Sequence, residues 1–151
     1  MNRLSSLVMA ALYFTAGCEQ GRHADRQIQL CLKNDEGLAT FEKILRAKSG
    51  EYNLVFYDSS AETEQGLAEV GSDLAGDYPI RHFHAHDKAD GFEVTASNLG
   101  LGRYQTTMSY DLRSDRQRAF ASEIEEELAR HFAIVVPEEG KGALPLRNCP
   151  D

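Results

Sequence analysis

Tyr104-Gln105-Thr106-Thr107-Met108-Ser109-Tyr110-Asp111-Leu112 is the stretch whose reading decides the fold. In an extended chain Tyr104, Thr106, Met108, Tyr110 and Leu112 fall on one side. Arg103, Gln105, Thr107, Ser109 and Asp111 fall on the other, because side chains alternate across a strand. One apolar and one wet face is the signature of an antiparallel sheet covered on one side. Just upstream, residues 80–87 and 92–98 also read as strands. Lys88-Ala89-Asp90-Gly91 forms the hairpin between them, with Gly at its end, and Leu99-Gly100-Leu101-Gly102 makes the next turn. The expectation is a three-stranded meander.

Outward from the meander, Ser114-Asp115-Arg116-Gln117 is a capping box. The helix it opens carries Phe120, Ile124, Leu128 and Phe132 on a single stripe. Ile134-Val135-Val136 is β-branched and predicts a last short strand before Pro137. Toward the N-terminus, residues 27–32 alternate, with Ile28, Leu30 and Leu32 on the buried face. Asn34 or Asp35 caps a helix to about Lys48, with Leu38, Phe41, Ile44 and Leu45 on one side and Ser49-Gly50 as its stop. Residues 52–57 predict a second strand. Ser59 or Ser60 opens a second helix with Leu67, Val70 and Leu74 at helical spacing, weakened by Gly66 and Gly71. The order is β-α-β-α-β-β-β-α-β, an α+β fold with helices packed on one face of a mostly antiparallel sheet.

The first residues follow a different grammar. Arg3 precedes an apolar run from Leu7 to Phe14, and small residues lead into Cys18. That is a secretory signal, and its apolar run is far short of the roughly 20 residues that span a bilayer. Thr15-Ala16-Gly17-Cys18 resembles a bacterial lipobox, with Thr15 where lipoproteins usually carry an aliphatic residue. The resemblance implies cleavage before Cys18 and lipidation of its sulfur. Residues 1–17 are then a signal peptide, 18–25 a lipidated tether and 26–151 one domain. Glu19 is not the Asp that resembles an inner-membrane retention signal. The expected place is therefore the periplasmic side of the outer membrane, with the inner membrane as the alternative.

With Cys18 lipidated, Cys31 and Cys149 remain as an even pair in an oxidising compartment, where a disulfide is the default. Cys31 points away from Ile28, Leu30 and Leu32, so a tail reaching it crosses the outside of the sheet. Leu144 and Leu146 are expected to pack there. The formal net charge of −8 becomes about −9 once the signal and its one Arg are removed. Such a surface repels phosphate backbones, which argues against nucleic acid. It suits solubility or a basic protein partner, with membrane contact through the lipid anchor alone.

Three groups of residues invite a chemical reading. His82, His84 and His86 alternate on one strand face, adjacent members about 6.5–7 Å apart. A pair of them can share a metal ion, with a third ligand drawn from His131, His23 or an acid. Otherwise they sit on the solvated face or in a pH-sensitive partner surface. Glu123, Glu126 and Glu127 fall on the exposed side of the last helix, as a solvated face or an acidic docking face. Leu99, Leu101, Arg103 and Tyr104 combine Gly-rich backbone with hot-spot residue types, unless the leucines tuck under the sheet.

Catalytic patterns are missing: no G-x-S-x-G, no H-E-x-x-H, no phosphate-binding Walker loop and no C-x-x-C. The expectation is a binding protein without a cofactor, not an enzyme. A small, anchored, acidic domain of this kind is similar to periplasmic immunity proteins and inhibitors. That likeness implies a protein partner, a basic secreted antibacterial effector whose active cleft is occupied by the turn at 99–104. The alternatives are an envelope accessory lipoprotein that binds a protein or peptidoglycan, and a His-dependent metal-binding protein.

Overall fold

Burying one apolar face of a sheet needs a helical layer, and two of the three helices supply it. In a computed structural model, residues 24–73, 77–138 and 142–150 are described. Cys18, His23 and Leu74, with their expected roles, lie outside the described residues. The elements follow the expected order: β1 (Arg26–Cys31), α1 (Asp35–Glu51), β2 (Val55–Asp58), α2 (Ser60–Glu69), β3 (His82–Asp87), β4 (Phe92–Ser97), β5 (Gln105–Tyr110), α3 (Asp115–Ala129) and β6 (Ile134–Val135). The fold is α+β. Its antiparallel sheet runs β2-β3-β4-β5-β1-β6.

The alternation that predicts β5 also sorts its neighbours. Ile28 and Leu30 on β1, Phe83 and Ala85 on β3, Phe92, Val94 and Ala96 on β4, and Met108 and Tyr110 on β5 are all buried. Phe41, Ile44 and Leu45 of α1 and Phe120, Ile124 and Leu128 of α3 close over them. Ser114 caps α3 through both bonds of the capping box, its hydroxyl accepting from the Gln117 N–H. Asn34 caps α1 by accepting from the Gly37 N–H at 2.8 Å. Gly37 has no alternative there: a Cβ would stand 1.9 Å from the Leu32 carbonyl oxygen.

Two elements differ from expectation. α1 runs through Ser49-Gly50 to Glu51, and the buried Ser49 hydroxyl bonds back to the Leu45 carbonyl at 2.7 Å. The chain turns at Asn53 instead, in the left-handed region at φ 54°, so β2 starts at Val55. α2 buries only Ser60, and Val70, beyond its end, is exposed. Its expected stripe does not join the core layer. Its Thr63 hydroxyl instead meets the His82 ring at 2.8 Å, on the face opposite Phe83.

The Cys31–Cys149 disulfide is present, with Cα atoms 5.5 Å apart. The tail crosses the outer face as expected, but apolar packing does not hold all of it: Leu144 is 62% exposed. The buried amides of Gln29 and Gln105 grip it, one donating to the Leu144 carbonyl and the other accepting from the Leu146 N–H. These bonds satisfy amides that would otherwise be buried without partners.

One ionic cluster ties β1 to α3. Arg26 forms a two-pronged contact with Glu125 at 3.1 and 2.9 Å, and the Tyr110 hydroxyl donates to the same carboxylate. Burial pushes the Glu125 carboxyl up, but the hydrogen bonds from Arg26 and Tyr110 outweigh it and hold the group below its ordinary value. A depressed carboxyl gives stability that is present above the unfolded-state value, about 4.3. That stability is lost as pH falls through the lower folded-state value. Glu125→Gln is expected to lower stability at neutral pH and to flatten the acid-side loss, read by chemical denaturation as a function of pH. Reducing the disulfide is expected to cost about 4–5 kcal/mol in the same assay by the chain-entropy account.

Candidate interaction surface

Strand register composes the outer face of the sheet. One row runs Tyr57, His84, Thr95, Ser109, Gln27 across five strands, and the next runs His82, Ser97, Thr107, Gln29, Val135. Val55, His86 and Glu93 form a third, shorter row at the β2 side. The tail covers the Gln29 and Cys31 end, while α2 covers His82 at the other.

Exposed apolar side chains stand at both margins of the sheet, Val135 and Val136 on the β6 side and Val55 and Tyr57 on the β2 side. Val55 is 62% exposed and Tyr57 48% exposed, directly opposite His86 and His84. Among the described residues β2 has β3 on one side and no strand on the other. The Tyr57 hydroxyl donates to Glu62 of α2, which holds that carboxyl below its ordinary value and pushes the phenol up. α2 carries Glu62, Glu64 and Glu69 and no basic residue, and none of the three forms an ion pair among the described residues. The β2–α2 edge is thus an apolar strip beside unmatched negative charge.

The three histidines share one face, as their alternation requires. His82 and His84 rings lie 4.4 Å apart, and His84 Nδ1 is 3.8 Å from a Glu93 carboxylate oxygen. Among the described residues no three His, Cys, Asp or Glu side chains converge to hold a metal ion. Burial first, and the neighbouring His84 second, pull His82 below its ordinary value.

The other predicted contact residues are differently engaged. Leu101 is only 7% exposed and belongs to the core side of its turn, while Leu99 is half-buried. Arg103 pairs with Asp35 at 3.0 Å and its guanidinium stands 5.1 Å from the Tyr104 ring centre. The Tyr104 hydroxyl also donates to Asp35. This turn is braced against the start of α1, with little polar capacity to spare. On α3, Glu123 meets Lys48 of α1 at 3.3 Å, and Glu126 and Glu127 meet Arg130 at 2.8 and 2.6 Å. Tyr52 and Lys48 hold the Glu123 carboxyl below its ordinary value.

A groove between α1 and α3, about 540 Å³, is lined by Lys43, Lys48, Glu51, Glu127 and His131 among others. Inside it Lys48 pairs with Glu51 at 2.6 Å, and the His131 ring stands 3.7 Å from a Glu127 carboxylate oxygen. The acids of α2 form no ion pair among the described residues, a feature the sequence reading did not single out. Its signal was present in the sequence: a ten-residue helix with three acids and no base.

Comparison with protein-family models, with curated proteins and with solved structures finds no match for this chain.

A lowered imidazole contributes stability that is present above its unfolded value of about 6.5 and lost as pH falls through the lower folded value. His82 is expected to titrate below the ordinary imidazole value in an NMR titration of the imidazole protons. His82→Gln is expected to reduce the loss of stability on mild acidification.

Proposed function

We propose that this protein is a lipid-anchored periplasmic binding protein that works by occupancy, an immunity-type inhibitor of a basic secreted antibacterial effector. The observation that carries the reading is the exposed Val55–Tyr57 strip on an unpaired sheet edge, beside an α2 that bears acids and no base. Exposed apolar groups on an open edge invite pairing, and proteins usually blunt such edges. A tyrosine at such a site is a common interface anchor. A cationic partner would gain apolar burial on Val55 and Tyr57 and be steered by Glu62, Glu64 and Glu69.

Lipidation of Cys18 supplies the other half of the reading. Several acyl chains hold a domain at the membrane stably, whereas one chain alone is marginal. The domain then waits where an injected effector arrives, with the outer membrane assigned from Glu19. Inhibition needs a stoichiometric complex and no bond-breaking step.

The test is capture of the secreted effector encoded beside this protein. The expected result is a one-to-one complex that silences the effector, and mass spectrometry that finds Cys18 acylated in the native host. Val55→Asp with Tyr57→Ala, both on exposed side chains, is expected to weaken the complex at least about tenfold, near 1.4 kcal/mol. Cys18→Ser should release the domain to the soluble fraction or leave an uncleaved precursor. Turnover of a substrate by the pure protein, or indifference of the effector to it, would overturn the reading.

A further inference from the structure

We infer that the edge of β2 left without a neighbour among the described residues accepts an extended, basic segment of a partner protein as an additional strand, hydrogen-bonded to the backbone of Phe56 and Asp58. The inference rests on the binding reading above and names the mode and chemistry of the contact. The Ser59 N–H donates to the His82 carbonyl at 2.9 Å, which makes that pair an inward one in the β2–β3 ladder. Antiparallel ladders alternate, so Tyr57 and Val55 turn their backbone groups inward toward His84 and His86. Phe56 and Asp58 therefore turn their N–H and C=O groups out, to the side on which no described strand lies.

Val-Phe-Tyr-Asp at 55–58 is short and carries one charge, Asp58, but has no proline, no lysine and no bulge in its register. The opposite edge, β6, is two residues long and offers far less. An added strand would place alternate side chains beside Val55 and Tyr57 on the outer face. There Glu62 already reaches the Tyr57 hydroxyl, and Glu69, seven residues on, shares its face of α2, while Glu64 lies round the helix.

Charge selects the occupant. Two copies of this chain pairing edge to edge would each bring a net charge of −8 and an uncompensated α2 to one seam. Like charge opposes that pairing and favours a strand that carries lysine or arginine.

The test uses the whole isotope-labelled chain and a short blocked peptide of alternating lysine and valine. Two controls accompany it: a glutamate–valine peptide, and the lysine–valine peptide N-methylated along one edge. Binding is read by NMR shifts and by amide hydrogen exchange. The lysine–valine peptide is expected to slow exchange at the Phe56 and Asp58 amides and to shift residues 55–58 and 62–69. N-methylation should abolish this. Glu62→Gln with Glu64→Gln and Glu69→Gln, all exposed or partnered only by neutral groups, should weaken it about tenfold without unfolding the chain.

Four results would overturn the inference: equal binding of the acidic peptide, shifts confined to the 99–104 turn or α3, no binding at all, or concentration-dependent protection of Phe56 and Asp58 in the chain alone. If effector capture survives any of these, strand addition falls and the binding reading stands. If the peptide adds at β2 while no effector is captured, the reverse holds.

Discussion

Phe120 is the contact on which the architecture hangs. Its ring meets Tyr52 and Phe92 edge-on, each at 5.3 Å between centres, and Tyr110 at 6.3 Å. Edge-to-face geometry of this kind adds about 0.5–1.5 kcal/mol per pair beyond simple burial. The cluster joins the end of α1, two central strands and α3 in one place, so it decides which side of the sheet is sealed. Once that side belongs to α1 and α3, the other must be tolerable in water. Its rows of Thr, Ser, Gln and His answer that requirement. The polar face, the tail that crosses it and the aside position of α2 all follow from where Phe120 sits.

Sequence periodicity carried information wherever an element had one dry side and one wet side. β1, β5 and α3 were legible for that reason, and the capping box at Ser114 marked a boundary that the structure keeps. The end of α1 was not legible, because Ser49-Gly50 looks like a stop and the helix runs through it to Glu51. α2 misled for a different reason. Leu67 and Val70 have helical spacing, but spacing reports amphipathicity and not the layer to which a helix belongs. Likewise, Gln29 and Gln105 read as solvent-facing strand residues, yet each is buried as a clamp on the tail. The disulfide was readable from the cysteine pair left once Cys18 is set aside, and the route of the tail from the face on which Cys31 lies.

The surface proposed to bind was the least legible part. Strand order is not written in the chain: nothing local to 55–58 says that β2 closes one edge of the sheet while β3, next to it, is interior. Charge showed the same limit. The Glu-rich run of α3 stands out, but Lys48 and Arg130 offset part of it across short distances. The acids of α2 form no ion pair among the described residues. A count of like charges along a helix says little until the partners contributed by other elements are known.

Both ends of the described domain gather on one flank. Ala24 leads directly into β1, and Cys149 is bonded to the far end of that same strand. In the sheet order β1 lies four strand spacings from β2, about 19 Å. The two ends of the described chain thus share the β1 flank, and β2 is the strand of the sheet that lies farthest from them.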